Sequence, residues 1–314
     1  MGRRSGVRWE EYVGGGERRL AADHGVQSVA VDGGHVCGGL TFGSIMVWCR
    51  STLEHEQTLT GHRGCVLALL FVGGRLVSGS RDHSVRVWDV GAGRCEGVLE
   101  GHTHWVTSLA VSGSRLLSGS YDGTVRVWGM EGEASSWRCE RTLVVQGSSG
   151  YVECLAAWGD RVACGFGDGG IRVWSLETWG FERILRGHKG SVFALVVSGK
   201  RLVSGSRDGT VRVWSGETWG CVETVEAYPA DADQYIRALA VCGSALVVGS
   251  FCGSASVERE VRVWDLETLR PLHTLRQPAG DDVRSLLSDG WCWAAAAQVA
   301  LCDFESVFLL VGIC

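Results

Sequence analysis

A histidine, a serine and an aspartate recur at one spacing three times along this chain: His62, Ser78 and Asp82; His102, Ser118 and Asp122; His188, Ser204 and Asp208. These are the side chains of a nucleophilic hydrolase: a hydroxyl to attack, an imidazole to take its proton, a carboxylate to orient the imidazole. The repetition argues against that chemistry. A catalytic constellation is singular, whereas this one is copied together with a tryptophan six residues after the Asp (Trp88, Trp128, Trp214). No G-x-S-x-G elbow presents any of these serines, and no oxyanion hole can be read beside them. HExxH, Walker and paired-zinc patterns are missing from the sequence. Residues 165–170, GFGDGG, occupy the turn that elsewhere reads SGSRDG and so read as a turn, not a phosphate cradle. The expectation is a non-enzyme with no cofactor, no metal and no small-molecule substrate.

What positions these residues is a period. Six strands end in Val-Trp, at Trp48, Trp88, Trp128, Trp174, Trp214 and Trp264, separated by 40, 40, 46, 40 and 50 residues. A second apolar strand recurs upstream, at 26–31, 66–72, 106–111, 152–157, 192–197 and 236–241, and a seventh copy, 283–287, has no tryptophan after it. Units starting near 26, 66, 106, 152, 192, 236 and 283 count seven. Within the unit spanning 187–225, GHKGS leads into one apolar strand and SGK turns into a second. GSRDGT then turns into a third, which ends at Trp214, and a fourth runs over 221–225. Four short strands between turn residues, with no 3.6-residue period, make one small antiparallel sheet per unit. Strands such as ALVV and VRVW are apolar on nearly both faces and must be covered on both, as when sheet stacks on sheet. Repeated radially, such sheets predict an all-β, seven-bladed β-propeller of four-stranded antiparallel blades.

Composition agrees. The chain has 46 glycines and only three prolines, the mark of many tight turns. Thirteen cysteines without a CxxC pair read as small buried hydrophobes in a reducing compartment. With 30 basic against 35 acidic residues, the net charge of −5 carries no nucleic-acid footprint, so nucleic acid is disfavoured as a partner. No stretch reaches the roughly 18 apolar residues of a membrane span. The first six residues hold neither an apolar signal core nor the Ser or Thr at position 6 of a myristoylation signal. A soluble cytoplasmic or nuclear protein with no membrane partner is expected, residues 1–16 being a flexible extension and 17–314 a single propeller.

Gly-His near the start of a unit, Ser-Gly-Ser-x-Asp in its middle and Val-Trp-Asp at its end together resemble the WD40 repeat, over nearly the whole chain. The resemblance implies that the four recurring residues form a hydrogen-bond clamp within the blade, Trp to Ser to His to Asp. Units 2, 3 and 5 keep all four. Unit 4 reads Ser148, Cys164, Asp168 and Trp174; unit 6 has Val248 and Cys252 where Ser and Asp belong; unit 7 has Cys302 for the Trp. Units 6, 7 and 1 are therefore expected to be the least stable arc. The last blade needs a fourth strand, which this family usually takes from the N-terminus, here residues 17–21, with 307–311 competing for the slot.

The resemblance also implies that partners are caught on the face carrying the Gly-His loops, by residues three and five after the His and just before the Asp. The candidates there are Arg81, Trp105, Tyr121, Tyr151, Phe193, Arg207, Tyr235, Arg237, Phe251 and Arg284, with Glu153 on the same rim. Aromatics and arginines are the residues from which interface hot spots are made. Units 2 and 5 most resemble the propellers of F-box/WD-repeat ubiquitin-ligase substrate receptors, in which arginines at the positions of Arg81, Arg207, Arg237 and Arg284 grip a phosphorylated peptide. No F-box segment precedes the propeller here. Of the 30 basic residues only Lys189 and Lys200 are lysines, so arginine is also this chain's default cation. The expectation is a protein-interaction scaffold or adaptor whose partners are other proteins, acidic or phosphorylated peptides among them. Trp179 and Trp219, on connecting turns, are expected to pack against neighbouring turns.

Overall fold

The computed structural model of the chain describes residues 25–144, 150–229, 234–252, 259–277, 285–288, 292–296 and 300–303. Six units form four-stranded antiparallel sheets in which consecutive strands pair, giving blades 1 to 6 over 26–59, 66–99, 106–144, 152–185, 192–226 and 234–277. In blade 5 the strands are Val192–Ser198, Arg201–Ser206, Thr210–Ser215 and Cys221–Glu226, here called a to d. The a strands of successive blades lie side by side at the centre and the d strands lie outside. Among the described residues the only helical element is one 3-10 turn, Ala134–Ser136.

The core lies between blades. Ala30, Cys37, Ile45, Val47 and Leu59 of blade 1 pack with Val66, Leu69, Leu76 and Trp88 of blade 2 in one buried cluster. Each following pair of blades repeats this, which is why the strands carry apolar residues on both faces. The glycine of Ser-Gly-Ser permits the approach. A Cβ on Gly79 or Gly119 would stand 2.7 Å from a methyl of Val106 or Val152, the first strand residue of the next blade. In all six blades the pairing of strands c and d shifts register at the Val-Trp step, a bulge that re-aims the tryptophan. The longer connection after blade 3's strand c is not loose. Its Ala134 and Trp137 are buried against Val85 and Leu99 of blade 2, with the Ala134 carbonyl lying over Gly97 of blade 2's outer strand.

The expectation of seven four-stranded blades is corrected: the described residues form six. Unit 7 contributes a three-stranded sheet, Ser285–Ser288, Cys292–Ala296 and Ala300–Asp303, set between blades 6 and 1. Its described strands span four, five and four residues, and Cys302 stands where the other units have the strand-c tryptophan. The two segments proposed as its fourth strand, 17–21 and 307–311, and the N-terminal extension 1–16 lie outside the described residues.

Candidate functional site

The recurring His, Ser, Asp and Trp form one connected chain of hydrogen bonds in blades 2, 3 and 5. In blade 2 the Trp88 indole donates to Ser78 Oγ at 2.8 Å, Ser78 Oγ meets His62 Nε2 at 2.7 Å, and His62 Nδ1 meets Asp82 Oδ2 at 2.8 Å. Blade 3 repeats this through Trp128, Ser118, His102 and Asp122 at 2.9, 2.8 and 2.8 Å; blade 5 uses Trp214, Ser204, His188 and Asp208 at 2.8, 2.7 and 3.1 Å. A carboxylate can only accept, so each Nδ1 carries a hydrogen, and the serine oxygen accepts the indole N–H while its own O–H donates to Nε2. All three serines are fully buried, with their oxygens engaged on both sides. A substrate carbonyl has no approach to them. Burial opposes charge on the three aspartates. Bonds from the imidazole, from the backbone N–H of Arg63, Thr103 or Lys189, and from Ser84, Thr124 or Thr210 outweigh it and hold the carboxyls well below the usual range.

In blades 4 and 6, where clamp residues are missing, an arginine–carboxylate pair takes their place. In blade 4 Cys164 occupies the serine position, its thiol raised by burial. Asp168 instead receives Arg172, Nη1 to Oδ1 at 2.9 Å and Nη2 to Oδ2 at 2.5 Å, and that guanidinium lies 4.2 Å over Phe166. In blade 6 Val248 offers no oxygen, and the buried Trp264 indole N–H has no partner. The Tyr228 hydroxyl donates to the Glu260 carbonyl at 3.0 Å, beneath Arg262, which pairs with the Glu260 carboxylate at 2.6 Å and lies 4.5 Å over the Tyr228 ring. Ser148 and Arg284 lie outside the described residues, as does the side chain of Cys252.

On the Gly-His face the candidate residues fall into two ring assemblies flanking the channel mouth. One runs across blades 2 to 4: His104 on Tyr121 (centroids 5.8 Å apart), Trp105 on Tyr121 (5.4 Å) and Tyr121 on Tyr151 (4.8 Å). The Arg81 guanidinium lies 4.2 Å over the Trp105 ring. The other joins blades 5 and 6: Phe193 with Tyr235 (5.5 Å) and Tyr235 with Phe251 (4.9 Å). Here Arg237 lies 4.6 Å over Phe193 and Arg207 6.0 Å from Tyr235. Arg81, Arg207 and Arg237 form no ion pair with a described carboxylate. Between the assemblies is a cleft of about 110 Å³ in which Glu153 accepts from the Tyr121 hydroxyl at 2.8 Å. Burial raises the Glu153 carboxyl; the Tyr121 bond and the charge of Arg237 only partly offset it. Burial, then the Glu153 charge, pushes the Tyr121 hydroxyl up.

Two residues of this face escape a purely positional reading of the repeat. His104 accepts the Trp105 backbone N–H on Nδ1 (2.8 Å) and stacks on His83 at 5.8 Å. His83 holds φ +72° in a turn where blades 1, 3, 4 and 5 have glycine (Gly43, Gly123, Gly169, Gly209). That substitution was the available signal.

At the opposite ends of the strands a cleft of about 260 Å³ separates blades 4 and 5, walled by Trp158 and Trp219 in edge contact at 5.3 Å. Trp219 and Trp179 sit in left-handed turns (φ +62° and +61°). Arg183 lies 4.5 Å and Arg161 5.5 Å from the Trp219 ring, and Arg115 of blade 3 lies 5.0 Å over Trp179 of blade 4. These indoles fasten neighbouring turns together. Among the described residues no cluster of three His, Cys, Asp or Glu is arranged to hold a metal, and no helix is long and apolar enough to cross a membrane.

Comparison with known proteins follows the clamp. Residues 53–89, 93–129 and 179–215 match the WD domain, G-beta repeat family. These stretches end on the third strands of blades 2, 3 and 5, the three with an unbroken chain from Trp to Asp. A comparison with curated proteins finds no match. Among 1694 solved chains that match, "Structure of U3-55K" aligns with a TM-score of 0.75 and 21% identity, over 88% of this chain and 90% of that one. A likeness at that identity is one of fold. Three stretches of the chain match the WD40 repeat, and the fold is a β-propeller. A likeness to F-box receptors in particular is not shown.

Proposed function

We propose that this chain is a non-catalytic docking module that holds a partner protein on its Gly-His face, and that the partner presents an acidic or phosphorylated segment. The observation that carries this is the state of Arg81, Arg207 and Arg237. Each has an aromatic ring behind it and forms no ion pair with a described carboxylate, although Arg237 shares its cleft with Glu153. Ring backing limits the freedom a guanidinium loses on binding and leaves its N–H edge open for a bidentate anion. A substrate-recognition role in a ubiquitin-ligase-type complex is one use to which such a face is suited. The test is a peptide array on the full chain in which each peptide appears phosphorylated, glutamate-substituted and neutral. Capture that follows negative charge supports the reading; capture indifferent to charge leaves a docking face that reads shape and apolar side chains.

A further inference from the structure

Blades 2, 3 and 5 share a second feature that the docking role leaves unused. At the register position opposite the strand-c tryptophan, the outer strand carries a cysteine: Cys95 opposite Trp88, Cys139 opposite Trp128, Cys221 opposite Trp214. Facing each thiol is the guanidinium of the strand-c arginine, with Arg86, Arg126 and Arg212 Nη1 at 3.9, 3.6 and 3.7 Å from Sγ. None of these arginines has a carboxylate partner among the described residues, and each has its Nε buried without an acceptor. In these blades the aspartate that would answer the arginine is engaged by the histidine.

The other blades supply the comparison. Arg172 pairs with Asp168 and Arg262 with Glu260, and there the register position holds Phe181 and Pro271. Blade 1 has Met46 for the arginine and His55 at the register position. Cysteine therefore stands only where a half-buried guanidinium lacks an anion. A cation held without a counter-charge is costly, and an oxygen anion on the neighbouring sulfur would relieve it.

We infer that Cys221, Cys139 and Cys95 are sites of oxidation by peroxides, each yielding a sulfenic acid whose new oxygen is taken up by the facing arginine. In the step the sulfur attacks one peroxide oxygen; the S–O bond forms as the O–O bond breaks. Sulfur loses two electrons, the departing hydroxide takes the thiol proton to leave as water, and the sulfenic acid then gives its own proton to solvent, leaving a sulfenate oxygen before the arginine. Exposure and donors rank the three. Cys221 is exposed and also has Thr224 Oγ1 at 3.5 Å; Cys139 is half-buried with Thr142 Oγ1 at 3.8 Å; Cys95 is half-buried, and its blade has Val98 at the threonine position.

The full chain treated with limiting hydrogen peroxide, with sulfenic acid trapped by a dimedone-type reagent and read by peptide mass spectrometry, should label Cys221 first, then Cys139, then Cys95. Buried Cys37, Cys154 and Cys164 should stay unlabelled. Arg212→Met should lower trapping at Cys221 about tenfold, leaving Cys139 as it is in wild type, and Arg126→Met should do the reverse. Unfolding of a variant would announce itself by labelling of the buried thiols, and the other variant then carries the test. Unchanged trapping at the cysteine facing a substituted arginine, or labelling confined to Cys49 with its serine and threonine neighbours, would overturn the proposal.

Discussion

Ser118 is useful only because Trp128 and His102 flank it: the indole has nowhere else to put its N–H, and the imidazole no other donor for its Nε2. Breaking that chain leaves buried polar groups unmet, so His102→Ala or Trp128→Ala should cost about 2–4 kcal/mol in chemical denaturation. The cleaner contrast is with blade 6, where the Trp264 indole N–H already lacks a partner. Trp128→Phe should destabilise by about 1–3 kcal/mol through the orphaned Ser118, whereas Trp264→Phe, which removes a group already unmet, should lose clearly less. Equal losses would sink the hydrogen-bond account and leave packing alone. The same residues fix the acid limit of the fold. Asp82, Asp122 and Asp208 are held well below the ordinary carboxylate value of 3.8, so their stabilisation is present above that value and drains away as pH falls beneath it. A urea titration should show stability dropping below about pH 4, and Asp122→Asn should flatten that slope.

At the scale of elements, the strands were legible because their pattern recurs: the Val-Trp ending is written six times and sends its indole against the preceding blade, and a strand-b glycine lets the following blade approach. The clamp was legible for the same reason. The ring assemblies were not. Whether Trp105 stacks on Tyr121, or Arg237 on Phe193, depends on which neighbours the curvature of the ring brings into line, and no single repeat encodes that. His83 illustrates the difference. A residue with a side chain at φ +72° is strained by about 1 kcal/mol where four other blades have glycine. His83→Gly should therefore leave stability unchanged or raise it, despite losing the stack on His104. If calorimetry shows it lower instead, the histidine stack outweighs the turn strain.

The whole molecule is a ring of near-copies, and its departures from repetition decide what it can do. Counting repeats of strand a overstates the number of four-stranded blades, because it says nothing about whether a unit completes its sheet, and among the described residues unit 7 forms three strands. The Gly-His face is asymmetric for a related reason: blades 2, 5 and 6 supply arginine, blades 3, 4 and 6 supply tyrosine, and Glu153 lies in the cleft between the ring assemblies. A segment crossing the mouth can meet Arg81 on one side and Arg207 or Arg237 on the other, its apolar residues lying against Tyr121, Tyr235 and Phe251. Removing one charge-assisted hydrogen bond from such a complex should cost about 1.5–3 kcal/mol. Arg81→Glu combined with Arg207→Glu should therefore abolish capture of an anionic peptide. Both side chains are exposed and unpaired, so the fold should forgo only their attraction to the rings, about 0.5–1 kcal/mol each, and the melting temperature should hardly move. The same swap at Arg86 and Arg212, whose Nε atoms are buried, should lower the melting temperature first. Glu153→Gln removes a carboxylate that burial already penalises and that repels an incoming anion, so it should tighten capture. Rising salt should weaken capture by the wild type, since charges at a rim are screened within about 8–10 Å at ordinary ionic strength. A rim double mutant that still takes up the same peptides, with the same salt dependence, would show that the arginines are not the grip and that the aromatic assemblies hold the partner by themselves.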